Sequence, residues 1–162
     1  MKAIIYRPIG VIHTSFKDTA GVPIQPRAAK GIKGSIEILP EYAEGLQDLD
    51  GFSHIILLYH LHLHKGYSLK VIPFLDNTVR GLFATRAPKR PNPIGFSVVR
   101  LIEIKGNVLH IEEIDVVDGT PLLDIKPYVP EFDKRNKFKI GWLTDRVTDA
   151  KNKRADKRFT TT

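Results

Sequence analysis

Residues able to do chemistry concentrate in four short stretches of this chain. The first is Phe83-Ala84-Thr85-Arg86-Ala87-Pro88-Lys89-Arg90-Pro91-Asn92-Pro93-Ile94-Gly95-Phe96-Ser97. Its prolines lock φ and remove amide donors, and the residues before them are pushed to extended conformations. Arg86, Lys89 and Arg90 are thereby held on a stiff, non-helical track, suited to presenting cations and carbonyls to an anionic ligand. A rigid crossover between strands with incidental charges has the same pattern. The second stretch runs from Asp115 through Asp118-Gly119-Thr120-Pro121-Leu122-Leu123-Asp124-Ile125-Lys126-Pro127-Tyr128. Asp118-Gly119 is a turn signal, and Pro121 stiffens the residues after it. This is either a loop whose amides and carbonyls grip a small polar ligand or a turn whose aspartates cap local amides. In the third, Val22-Pro23-Ile24-Gln25-Pro26-Arg27, Gln25 offers both donor and acceptor for an amide-edge contact. The fourth is a set of histidines, His54, His60, His62 and His64, at even positions along one predicted strand. Alternation places them on one face. Two histidines at i and i+2 can hold zinc with a third ligand. No completing partner stands out, because His13 and His110 are isolated, and the same imidazoles could line a polar face or meet an adenine-like ring.

The elements that position these residues are mostly strands. Ile9–Ser15 is rich in β-branched residues, and Gly34–Leu39 alternates apolar with polar. Pro40 opens a short helical segment to Leu49. Phe52–His64 is the longest predicted strand, followed by Arg80–Thr85. Val98–Ile104 and Val108–Ile114 form a hairpin across Lys105-Gly106-Asn107, with Gly106 and Asn107 able to take positive φ. Ile140–Leu143 is a late strand, and the chain from Asp145 onward is helical or disordered. Many short strands with few helix signals predict an all-β barrel as a single domain over residues 1–145, with short helices and a basic C-terminal tail over 146–162.

The chain has 162 residues, 42% hydrophobic and 27% charged, enough for one domain with a real core. It has no cysteine, which excludes disulfides, thiolate metal sites and a cysteine nucleophile. With no signal-length apolar run at the start and no membrane-length span, the expectation is a cytoplasmic protein. A net charge of +7 favours an acidic partner, and Lys151–Arg158 carries five cations against one acid. That tail either binds phosphates without reading sequence or is simply solvated. No Gly-x-Gly-x-x-Gly, phosphate-loop lysine motif or Gly-x-Ser-x-Gly elbow occurs, which disfavours Rossmann nucleotide binding, P-loop NTPases and α/β-hydrolases.

The succession of Ile9-Gly10-Val11-Ile12-His13-Thr14, Val22-Pro23-Ile24-Gln25-Pro26, Gly51-Phe52-Ser53-His54, the Ala84-Thr85-Arg86 and Arg90-Pro91-Asn92-Pro93-Ile94-Gly95 motifs, Asp118-Gly119-Thr120-Pro121 and Asp124-Ile125-Lys126-Pro127-Tyr128 resembles the TrmO family, also called TsaA-like proteins. The resemblance spans residues from about 5 to about 143. It implies an S-adenosylmethionine-dependent methyltransferase built on an all-β barrel. Such a protein acts on N6 of threonylcarbamoyladenosine at position 37 of tRNA, in the anticodon loop, as a homodimer with the cofactor near the subunit interface. By the same resemblance, Ile24, Gln25, Pro26, His62, Leu63, Arg86, Phe96, Thr120, Pro121, Leu122 and Leu123 bind the cofactor. No metal is implied. Lys89, Arg90 and Lys126 reach tRNA phosphates or the carboxylate of the modification. Asp118, Asp124 and Tyr128 are the residues placed to orient the reacting N–H. Two other readings stand beside this one: an S-adenosylmethionine-binding protein without this activity or with another substrate, and a zinc enzyme built on the histidine strand.

Overall fold

The computed structural model of the protein describes residues 2–25 and 29–159. Eight strands are present in chain order: β1 (Gly10–His13), β2 (Lys33–Ile38), β3 (His54–His60), β4 (Lys70–Val71), β5 (Arg80–Gly81), β6 (Ile94–Lys105), β7 (Val108–Glu112) and β8 (Thr120–Pro127). Six of them close into an antiparallel barrel in the order β1-β2-β7-β6-β3-β8, with β8 returning to β1. Strands β4 and β5 form a separate two-stranded ribbon. Closure leaves the barrel itself without an unpaired edge. Inward positions along each strand fill the barrel with Ile12, Ile36, Ile38, Ile55, Leu57, Val99, Leu109, Ile111 and Leu122, all nearly or completely buried. No helix among the described residues is long and apolar enough to cross a membrane.

Several expectations are corrected. β3 ends at His60, so His62 and His64 lie beyond it in a turn and do not share its face with His54 and His60. The stretch Arg80–Thr85 is a two-residue strand followed by a 3-10 turn, Leu82–Ala84, which Thr85 closes with both its N–H and its hydroxyl on the Leu82 carbonyl (3.0 and 2.8 Å). Gly141–Leu143 is a 3-10 turn rather than a strand, and Trp142 donates from its ring nitrogen to the Ala84 carbonyl at 2.8 Å. The Thr120–Pro127 stretch is a barrel strand rather than a ligand-gripping loop. In the β6–β7 hairpin only Gly106 has positive φ (+61°), the sign pattern of a type II′ loop.

A bulge in β8 sets which of its side chains face outward. Tyr59 of β3 faces Leu122 while its neighbour Leu58 faces Asp124, so Leu123 is the extra residue. Without it, alternation would turn Asp124 into the core. With it, Ile125 packs on the core, while Asp124 and Lys126 lie on the outer barrel surface beside Leu58 and Ile56 and pair at 2.7 Å.

The basic C-terminal segment is docked on the molecule. Ala155 donates to Val22 O (2.8 Å), Gly21 donates to Ala155 O (2.9 Å), and Pro23 bridges Arg154. Phe159 is buried with Val71, Leu82 and Ala87 and meets Phe74 edge-on at 5.0 Å. Arg158 pairs with Asp156 and donates to Pro73 O at 2.6 Å. Replacing Arg158 with alanine removes these contacts. We expect the docking to weaken by about 1–2 kcal/mol, read as faster hydrogen exchange at the Ala155 amide while core barrel amides stay protected.

Candidate functional site

The prolines of the Arg86–Gly95 crossover carry it over one end of the barrel, where it meets the Val22–Gln25 segment and the turn after β3. Between them lies a cavity of about 430 Å³, a size suited to a small organic ligand. Ile24, Gln25, His62, Leu63, Arg86, Arg90, Phe96 and Thr120, all expected from sequence to act in binding, line it. So do Ala155, Asp156 and Phe159 of the C-terminal segment. A second, more apolar cavity of about 490 Å³ adjoins it across Ile24, Gln25 and Arg86, with Trp142 and Phe83 in its wall.

Arg86 and Gln25 lie 61 residues apart and meet at the cavity, Nη1 donating to Oε1 at 2.6 Å. The same guanidinium lies 5.9 Å from the centre of the Phe96 ring. Arg86 therefore presents a fixed, exposed planar cation next to an amide and an aromatic face. Arg90 has a different position: its Nη1 donates to the carbonyls of Thr85 and Ala87 (3.1 and 3.2 Å), which staples the crossover. The Lys89 carbonyl accepts from the Ser68 amide at 3.3 Å. His62 lies 3.4 Å from the Thr120 hydroxyl, and burial holds its pKa below the usual histidine value. His64 contacts the Phe159 carbonyl at 3.2 Å and is shifted down by burial too. Among the described residues no group of three histidines or acids is arranged to hold a metal.

The remaining sequence-derived residues lie elsewhere. Pro26 is outside the described residues. Pro121 pairs with Val11 between β8 and β1, Leu122 is fully buried in the core, and Leu123 is the bulge residue. Asp118, Asp124 and Tyr128 are not among the residues lining the cavity. Asp118 accepts from the Thr14 amide (3.0 Å) and from Lys17 Nζ (2.6 Å), and the Lys17 and Thr14 hydrogen bonds hold its pKa below the usual carboxylate value. Tyr128 stands edge-on to His54 at 6.4 Å.

Sequence reasoning missed a hydrogen-bonded chain at the cavity wall. Tyr59 Oη lies 2.9 Å from Ser97 Oγ, and Ser97 donates to Asp115 Oδ1 at 2.6 Å. Ser97 and Tyr59 are buried, and Tyr59 and Asp115 line the cavity. Burial pushes the Asp115 carboxyl up to about 6 despite the Ser97 hydrogen bond. Burial and the nearby Asp115 raise the Tyr59 phenol further above its ordinary value. The backbone carrying Asp115 is pinned just beyond it, by the Thr14 hydroxyl on Val116 O (2.8 Å) and the Thr120 hydroxyl on Val117 O (2.7 Å). The signal in the sequence was Ser97, a polar residue at an inward position of the alternation Gly95, Ser97, Val99, Leu101.

Residues 11–134 match the family described as the tRNA-methyltransferase O N-terminal domain. The chain belongs to the TrmO family. Similar to this chain is a probable S-adenosyl-L-methionine-binding protein of Pyrococcus abyssi, 58% identical over 156 residues, covering 96% of this chain and 85% of that protein. The mouse tRNA (adenine(37)-N6)-methyltransferase is 35% identical over 146 residues, which make up 85% of this chain and 33% of the mouse protein. The crystal structure of TrmO from Pseudomonas aeruginosa superposes with a TM-score of 0.73 at 38% identity, covering 87% of this chain. The chain spans 63% of that structure's length.

Proposed function

We propose that this TrmO-family chain is an S-adenosylmethionine-dependent tRNA methyltransferase that acts on N6 of threonylcarbamoyladenosine at position 37. The observation that carries the reading is the junction of Arg86, Gln25 and Phe96 in the cavity, in a chain whose relatives are named for S-adenosylmethionine binding or tRNA adenine-N6 methylation. The lining fits the cofactor. Arg86 suits a carboxylate, Phe96 and Ile24 offer apolar surface to a purine, and Gln25 offers an amide edge. S-adenosylmethionine needs no phosphate cradle, consistent with the missing glycine motifs. Bound there, it supplies a methyl group on a positively charged sulfur, already a strong electrophile.

The residues of this chain then have to bind, orient and exclude water. Arg86 and Gln25 fix the polar end of the cofactor, and Phe159 and the segment around Ala155 cover it. The target base comes from a single-stranded loop, where adenine can be splayed out of its stack. Its N6 belongs to a urea-like group with an acidified proton, so placement at near-attack distance does more than a strong base would. Asp124 and Tyr128 stand on the outer barrel surface away from the cavity lining, so that placement is assigned no contribution from them within one chain. Lys89, Lys126 and Arg90 meet the carboxylate of the modification or the phosphates. Asp118, tied to Lys17 and Thr14, serves as a turn cap. A tRNA substrate and a chain without cysteine fit a cytoplasmic protein.

The protein works as a homodimer. The outer face of β3 and β6 supports this: Ile56, Leu58, Ile94, Phe96 and Val98 form an apolar strip, with Phe96 47% and Ile94 41% exposed, and such a strip marks an interaction surface. Light scattering should give twice the 18.3 kDa chain mass, and a stable monomer that still binds cofactor would contradict the dimer. Calorimetry with S-adenosylmethionine tests the site itself. One cofactor should bind per chain, and no heat of binding would remove the reading. A second reading, cofactor binding without tRNA methylation, is favoured by the naming of the Pyrococcus relative as a binding protein only. It would give cofactor binding with no methylated nucleoside.

A further inference from the structure

Asp115 is costly to the fold, and the Arg86–Gln25 junction makes no direct contact with it. A carboxylate taken out of water needs a charged or well hydrogen-bonded partner. Two carboxylates line the cavity among the described residues. Asp156 is spent on Arg158, whose Nε and Nη2 reach both its oxygens at 2.8–3.0 Å. Asp115 accepts hydrogen bonds from Ser97 and from its own backbone amide, and it has no cation within ion-pair distance among the described residues. Arg86 acts on it only through space. Yet its position is heavily determined, by the Ser97–Tyr59 chain and by the two threonine hydroxyls on the next two carbonyls. Rigid placement of an unpaired acid at a cavity wall is what a site does when the ligand brings the counter-charge.

We propose that Asp115 is the residue that reads positive charge on the bound cofactor, its carboxylate receiving a cationic group of the ligand while Ser97 and Tyr59 act as positioning residues. This rests on the reading of the cavity as an S-adenosylmethionine site. That cofactor carries two cations, the sulfonium and the amino-acid ammonium, and both have the chemistry Asp115 would recognise.

The test is calorimetry of wild type and Asp115→Asn with three ligands. S-adenosylmethionine has both cations, S-adenosylhomocysteine only the ammonium, and 5′-methylthioadenosine neither. Asp115→Asn keeps the oxygen that accepts from Ser97 and loses the charge. It should weaken S-adenosylmethionine at least about tenfold and methylthioadenosine less than about twofold, with a thermal midpoint at pH 7.5 no lower than wild type. Weakening confined to S-adenosylmethionine assigns the sulfonium, and equal weakening of S-adenosylhomocysteine assigns the ammonium. Equal loss for all three ligands, or none, overturns the proposal while the cofactor site stands. A wild-type protein that binds none of the three overturns the cofactor reading and this proposal with it.

Should Asp115→Asn not fold, Ser97→Ala carries the test. The charged and titratable groups around Asp115 are Tyr59 on β3, His62 and His64 after it, Arg86 and Arg90 on the crossover, and Asp156 on the C-terminal segment. Wild-type affinity for S-adenosylmethionine should fall as pH drops through about 6, where Asp115 gains its proton. Histidine protonation also adds repulsion as the pH falls but does not depend on Ser97. Ser97→Ala removes a hydrogen bond that favours the ionised carboxylate, so an acid limb set by Asp115 moves to higher pH. A limb that stays in place overturns the proposal.

Discussion

Arg86→Ala is expected to weaken S-adenosylmethionine binding by about tenfold to a hundredfold and to leave the thermal midpoint close to wild type. The guanidinium is exposed, touches Gln25 and Phe96, and anchors nothing in the core. Losing it costs the fold about 0.5 kcal/mol or less, as for most surface changes. A hydrogen bond to a charged group carries about 1.5–3 kcal/mol, which sets the size of the binding loss. Arg86→Lys keeps the charge but not the planar fork, and should recover only part of the affinity. Calorimetry and thermal unfolding on the same samples separate the outcomes. Unchanged affinity removes Arg86 from the site, and a midpoint lowered by many degrees makes it a structural residue instead.

Gly95→Ala should have the opposite signature, a large loss of stability together with loss of binding. Gly95 faces Tyr59 across the β3–β6 pair. A Cβ at position 95 would overlap the Tyr59 ring, meeting Cζ at 2.5 Å and Cδ2 at 2.6 Å with Cε2 closer still. The ring is buried and bonded to Ser97, so it cannot swing aside without breaking the chain to Asp115. Overpacking of this kind costs about 1–3 kcal/mol, a drop in midpoint of several degrees for a chain of this length. Tyr59→Leu placed on top should relieve the overlap, so the double variant should be more stable than additivity of the single changes allows. Strict additivity would show that the ring and the glycine are not coupled.

Some of this was legible from residue types and some was not. The alternation in Gly34–Leu39 and in the Val98–Ile114 hairpin predicts β2, β6 and β7 because period two on one buried face leaves little else possible. The proline-rich crossover is legible as a rigid presenter of Arg86, since proline acts on its own backbone. Strand β8 is hidden because Pro121, Asp124 and Pro127 are poor strand residues individually. Barrel closure and the Leu123 bulge override that preference by giving β8 two partners. The histidine face fails for the converse reason: the pattern continues past His60, but the pairing does not. Tyr59, Ser97 and Asp115 come from three elements, and each looks ordinary alone. Only closure of the barrel brings them within hydrogen-bonding distance.

The proposed activity depends most directly on one assay. The protein is incubated with S-adenosylmethionine and with tRNA that carries or lacks the threonylcarbamoyl group at adenosine 37, and the digested nucleosides are measured by mass spectrometry. Non-specific tRNA affinity, driven by the +7 charge, should be similar for both and should fall as salt rises. The account predicts a methyl group on N6 of threonylcarbamoyladenosine and none on the unmodified adenosine. Equal methylation of both tRNAs, or of neither by a protein that binds the cofactor, would contradict it.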